Sequence, residues 1–104
     1  MTFRTDINNT LFTEKYPTEA VIRYIDWSDR LILATGASDP IATSTWAGQT
    51  GITIASPTFN ATTGIAQALF SSGTAGQTYK ITNTITTTGG QTLVQAFELR
   101  VVQP

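Results

Sequence analysis

Three carboxylates, Asp26, Asp29 and Asp39, fall within fourteen residues around a turn signal, in a chain of 104 residues with no histidine and no cysteine. They are its main candidates for acid–base chemistry. A general acid–base pair needs two carboxyls in one cleft, in environments that split their pKa values. Nothing in this spacing requires that, and turn-capping, solvated aspartates account for all three. The same oxygens could meet a calcium ion, but their spacing and the glycine placement match no EF-hand loop. A Thr or Ser nucleophile would need a Lys or carboxylate base, and Lys80 sits mid-strand on an outward threonine face. The Gly73–Thr78 stretch, GTAGQT, lacks the Lys-Ser/Thr ending of a phosphate loop and precedes a strand rather than a helix. Without His or Cys there are no disulfides, thiol nucleophiles, zinc or iron–sulfur sites, and no Ser–His or Cys–His catalysis. The expectation is a protein that is not an enzyme and holds no cofactor or metal.

The bulk composition points to one domain with a single modest core. Hydrophobic residues make up 40% and aromatic residues 10%, enough for a globular fold. Charged residues supply only 12%, while threonine alone supplies about a fifth, which favours strands because β-branched side chains fit a pleated surface. A net charge of −1 with scattered Lys and Arg gives no electrostatic case for nucleic acid or an anionic membrane. No apolar run approaches a membrane span. MTFRTDINNTLFTEKY lacks the basic-then-apolar layout of a signal peptide, so synthesis and retention in the cytosol are expected.

Residues 1–18 read as an extended arm, with Phe3, Leu11, Phe12 and Tyr16 available for a partner, and residues 19–104 as the folded domain. The bland alternative is a loose terminus. If the arm serves only docking, removing residues 1–17 leaves the domain folded. AVIRYIDW reads as a strand with Ala20, Ile22 and Tyr24 on one face and Val21, Ile25 and Trp27 on the other. Apolar residues on both faces suggest a strand covered on each side. Ser28 is placed to cap a short turn through Leu31–Leu33. IATSTW follows, with Ala42, Ser44 and Trp46 on one face. GITIAS directs Ile52 and Ile54 inward and stops at Pro57. GIAQALF, TYKITNTITT and TLVQAFELRVV complete the set. Six to eight short strands at intervals of about ten residues, with no convincing helix, predict a small all-β sandwich.

The last two strands predict their own register. Tyr79, Ile81, Asn83 and Ile85 share one face, and Leu93, Gln95, Phe97, Leu99 and Val101 share one face of the next strand. Directly opposed residues point to the same side, so paired positions must have an even sum. A two-residue Gly89-Gly90 loop breaks that parity. A three-residue loop, Thr88-Gly89-Gly90, with a left-handed Gly at a bulge, pairs Ile85 with Leu93 and Asn83 with Gln95. Trp46, Tyr79, Ile81, Ile85, Phe97 and Leu99 are the expected core. Tyr79 is placed like the tyrosine corner of immunoglobulin-like domains. Trp27, at a strand end beside Asp26 and Asp29, is a candidate interface anchor. Thr82, Thr84 and Thr86 form a neutral outward face able to touch a neighbour with little desolvation of charge.

Taken together, YIDWSDRL, STW, SSGTAGQTYKITNTITTTGGQT and the closing FELRVV resemble the small immunoglobulin-like phage fibre–tail adaptor proteins. Asp26-Trp27-Ser28, Ser44-Thr45-Trp46, Gly73-Thr74-Ala75-Gly76, Tyr79, Thr82-Asn83 and Ile85 carry that resemblance, over residues 19–103. It implies a structural protein of the virion tail, joining tail or baseplate to fibres, made in the host cytoplasm and working as symmetric copies. Two other readings of the same residues are a capsid decoration protein, and a carbohydrate-binding or adhesion module using Trp27 or Trp46 as a sugar platform.

Overall fold

A computed structural model describes residues 4–5, 11–33 and 35–103; of residues 4 and 5 only the backbone is described. Phe3, expected to serve the arm, lies outside the described residues. The strands are β1 (Arg4–Thr5), β2 (Leu11–Lys15), β3 (Val21–Asp26), β4 (Ile41–Gly48), β5 (Ile52–Asn60), β6 (Ile65–Ser72), β7 (Thr78–Thr87) and β8 (Thr92–Val101). A single 3-10 turn, Ser28–Arg30, is the one helical piece among the described residues. One sheet has the order β1-β2-β8-β7-β4 and the other β3-β6-β5. All pairs are antiparallel except β2 with β8. This is an immunoglobulin-like sandwich, as the sequence predicts.

The β7–β8 hairpin adopts the register that parity requires: Ile85 opposes Leu93 and Asn83 opposes Gln95. The loop is Thr88-Gly89-Gly90, closed by the Thr87 N–H donating to Gln91 O at 2.9 Å, and Gly90 has φ +91°. Ile81, Ile85 and Leu99 are fully buried, with Phe97 and Tyr79 beside them. Trp46 is half-buried, meeting Phe70 edge-on with centroids 5.4 Å apart and Phe97 at 6.4 Å. Its indole Nε1 is buried without a hydrogen-bond partner.

Several local expectations are corrected. Pro57 does not end β5; the strand bulges between Ala55 and Thr58 and continues to Asn60. β5 lies at a sheet edge, where a missing N–H costs no ladder bond. Ala42 does not share the inward face of Ser44 and Trp46. A register shift between Ile41 and Thr43 buries Ile41 and leaves Ala42 exposed. Ser28 caps nothing with its side chain; Asp26 Oδ1 accepts the Ser28 N–H at 2.9 Å instead.

Leu11–Lys15 is a strand of the larger sheet. It runs beside β8 from Phe12 opposite Glu98 to Lys15 opposite Val101. Arg23 of β3 reaches across to it, its Nε donating to Thr13 Oγ1 at 2.9 Å and its Nη2 to Glu14 O at 3.1 Å. Lys15 is 2% exposed; its Nζ donates to Tyr16 O at 2.7 Å, and burial pulls its pKa below the ordinary lysine value. β2 is thereby held by a backbone ladder on one side and by a guanidinium from the opposite sheet.

Candidate functional site

The motif residues come together inside the fold. Trp27, placed by sequence as an interface anchor, is 1% exposed, because the turn after β3 tucks its ring between the sheets. Its indole N–H donates to Asn83 Oδ1 at 2.9 Å, and Asn83 Nδ2 donates in turn to Ser44 Oγ at 3.0 Å and Thr45 O at 2.9 Å. Every polar atom of that amide is therefore engaged, as burial of an amide requires. Arg30 lies over the outer side of the indole at 5.0 Å. Trp27 is a pin joining β3, β4 and β7 and has no face left for a sugar or a partner.

Tyr79 ties the start of β7 to the preceding loop, its hydroxyl accepting the Thr74 N–H at 2.9 Å. This is the tyrosine-corner geometry expected from sequence. Two residues on, where antibody domains carry the second cysteine of their inter-sheet bridge, stands Ile81, fully buried.

The three aspartates do not converge. Asp26 and Asp29 are exposed, whereas Asp39 is 1% exposed beneath the β7–β8 loop. Asp39 accepts hydrogen bonds from the Thr87 and Thr88 hydroxyls, the Gly89 N–H at 2.7 Å and Gln91 Nε2 at 2.8 Å. The Thr87 and Gln91 bonds lead in holding its carboxyl below the ordinary aspartate range, and burial opposes them. Its role is to lock the hairpin loop; spacing alone could not show that its donors lie some fifty residues away. Among the described residues no group of three His, Cys, Asp or Glu side chains is placed to hold a metal ion.

What remains for contact with other molecules is the outer surface. On the larger sheet, cross-strand rows run Thr43, Thr86, Thr92; then Thr45, Thr84, Val94; then Ala47, Thr82, Ala96. Thr82, Thr84 and Thr86 are half-buried, and Thr43 and Thr86 share a hydroxyl hydrogen bond of 2.5 Å. This face is uncharged until Lys80, Glu98 and Arg100 at its far end, where Arg100 pairs with Glu98 at 2.7 Å. Phe12, expected to serve a partner, is only 9% exposed, with the Arg100 guanidinium 3.8 Å above its ring. Leu11 packs against the core, while Tyr16 is 42% exposed. The outer face of the smaller sheet is more apolar: Ile22, Leu69 and Ala55 stand in register across three strands, with Tyr24 in the next row. The sequence signal for that face was the apolar residues on both sides of AVIRYIDW.

Residues 15–100 match a family model described as the podophage GP4 fiber-tail adaptor protein gp77. No curated protein matches the chain.

Proposed function

This chain belongs to the podophage GP4 fiber-tail adaptor family, and from that premise we propose that it is a non-enzymatic structural protein of the virion tail, joining tail or baseplate to the fibres. The observation that carries this reading is how the residues divide. Trp27, Asn83, Tyr79 and Asp39 all serve the interior, and what faces outward is uncharged sheet surface over Thr43, Thr45, Thr82, Thr84, Thr86 and Val94. Neutral hydroxyls bond to a neighbour without the desolvation cost of an ion. Several copies arranged symmetrically around the tail would add modest contacts into firm attachment.

The test is a phage lacking this gene product, viewed as purified particles beside a strain carrying a labelled copy. Loss of fibres, with label at the tail, supports the adaptor. Fibres retained on every particle, or label over the capsid, would replace it with a decoration role.

A further inference from the structure

β4 ends the larger sheet, so among the described strands only β7 pairs with it. The Thr88 N–H donates to Pro40 O and the Lys80 N–H to Gln49 Oε1, so the even-numbered peptide groups of β7 face β4. Their partners in register are Thr43, Thr45 and Ala47. Peptide groups alternate along a strand, so those of Ser44 and Trp46 point away from the sheet. Among the described residues nothing bonds to the N–H or C=O of either. β1 and β2 stand at the opposite end of the sheet, beyond β8 and β7. Neither the three residues before Arg4 nor the five linking Thr5 to Leu11 are enough to cross those strands and reach β4, at about 3.5 Å per residue against about 4.8 Å per strand. Open edges are normally protected by a charge, a proline or a bulge. β5 has Pro57 and its bulge, and β3 turns Arg23 inward. From Thr43 to Gly48, β4 has neither charge nor proline, and its one bulge lies before Thr43.

We propose that β4 pairs with β4 of a second copy of this chain, antiparallel about a two-fold axis at Thr45. Ser44 of each copy then exchanges its N–H and C=O bonds with Trp46 of the other. A second copy is the occupant that fits, because the strand is its own complement. Thr43 meets Ala47, Ser44 meets Trp46 and Thr45 meets Thr45, so no charge faces a like charge and no bulge falls inside the ladder. The row Thr45, Thr84, Val94 runs on across the axis into the same row of the other copy, which doubles the uncharged outward face. Pro57 bars β5, the edge strand of the smaller sheet, from a matching ladder, so β4 alone makes the contact.

Thr45→Lys and Thr45→Glu test this, because Thr45 is exposed on the outward face and only the two-fold axis sets it against itself. Sedimentation equilibrium of the purified protein, up to millimolar concentration, should show the wild type at twice its 11.2 kDa. Each variant alone should dimerise about tenfold more weakly, since like charges then meet, and an equal mixture of the two should regain wild-type association. A wild type that stays at 11.2 kDa throughout, variants that dimerise as the wild type does, or a mixture no stronger than its parts would each overturn the proposal. Thermal unfolding checks that the variants fold. If either does not, hydrogen exchange of the wild type decides: the Ser44 and Trp46 amides should exchange more slowly as concentration rises, and rates independent of concentration overturn the pairing. These readouts use the purified protein alone, so their failure leaves the adaptor reading standing.

Discussion

The indole N–H of Trp27 and the Oδ1 of Asn83, 56 residues apart in the chain, meet at 2.9 Å in the buried interior between the two sheets. This bond does the joining that an inter-sheet disulfide does in antibody domains, in a chain that has no cysteine. It also passes through the Asn83 amide to Ser44 and Thr45, so three strands share one polar node.

Trp27→Phe keeps most of the ring but leaves Asn83 Oδ1 buried without a donor, which costs about 1–3 kcal/mol. Asn83→Ala orphans the indole N–H and costs a similar amount. Because each single change already breaks the bond, the double variant should lose less than the sum, by about 0.5–3 kcal/mol. Urea midpoints of the four proteins measure this, and strict additivity would show that the pair is not coupled.

Asp39 makes stability depend on pH. Its folded pKa is depressed, so its contribution is fully present above the unfolded value and is lost as pH falls through the folded one. Thermal midpoints should therefore fall as the pH is lowered from roughly 5, the transition running below the ordinary aspartate value near 3.9. In Asp39→Asn the midpoint at neutral pH is lower and the acid slope shallower. An unchanged slope in that variant would assign the acid sensitivity to other carboxylates.

Truncation at the N-terminus has two different outcomes. Removing residues 1–10 leaves β2 in place and should leave the domain folded. Removing residues 1–17 takes away the buried Phe12, Thr13 and Lys15 and the whole β2–β8 ladder. The loss of the Phe12 ring alone is worth about 3–5 kcal/mol by analogy with other buried aromatics. Circular dichroism melts of the two truncations separate these cases, and equal melts would show that β2 is dispensable.

Thr84→Glu places a charge in the middle row of the outward face, beside Thr45 and Val94. Its effect on folding should stay near about 0.5 kcal/mol, as for most surface changes. Incorporation into particles should drop sharply if this face is a contact. Quantifying the protein in purified virions gives the answer, and normal incorporation would remove the threonine face from the interface.

The chain's local pattern was enough to determine much of the sandwich. Strand side chains alternate with a period of two, so the odd positions from Tyr79 to Val101 carry both the buried face and the β7–β8 register, and parity called for a left-handed glycine in the loop, which the structure assigns to Gly90. The same parity put Val21, Ile25 and Trp27 on one face. It could not say what that face meets. Only the tertiary structure decided that Trp27 finds Asn83, that Asp39 is buried under the hairpin loop, and that Leu11–Lys15 joins β8 in parallel. These are pairings between residues tens of positions apart, chosen by how two sheets stack and which polar groups must be satisfied on burial. Periodicity says which side of a strand a residue faces, and the partner waiting there is set by the whole chain at once.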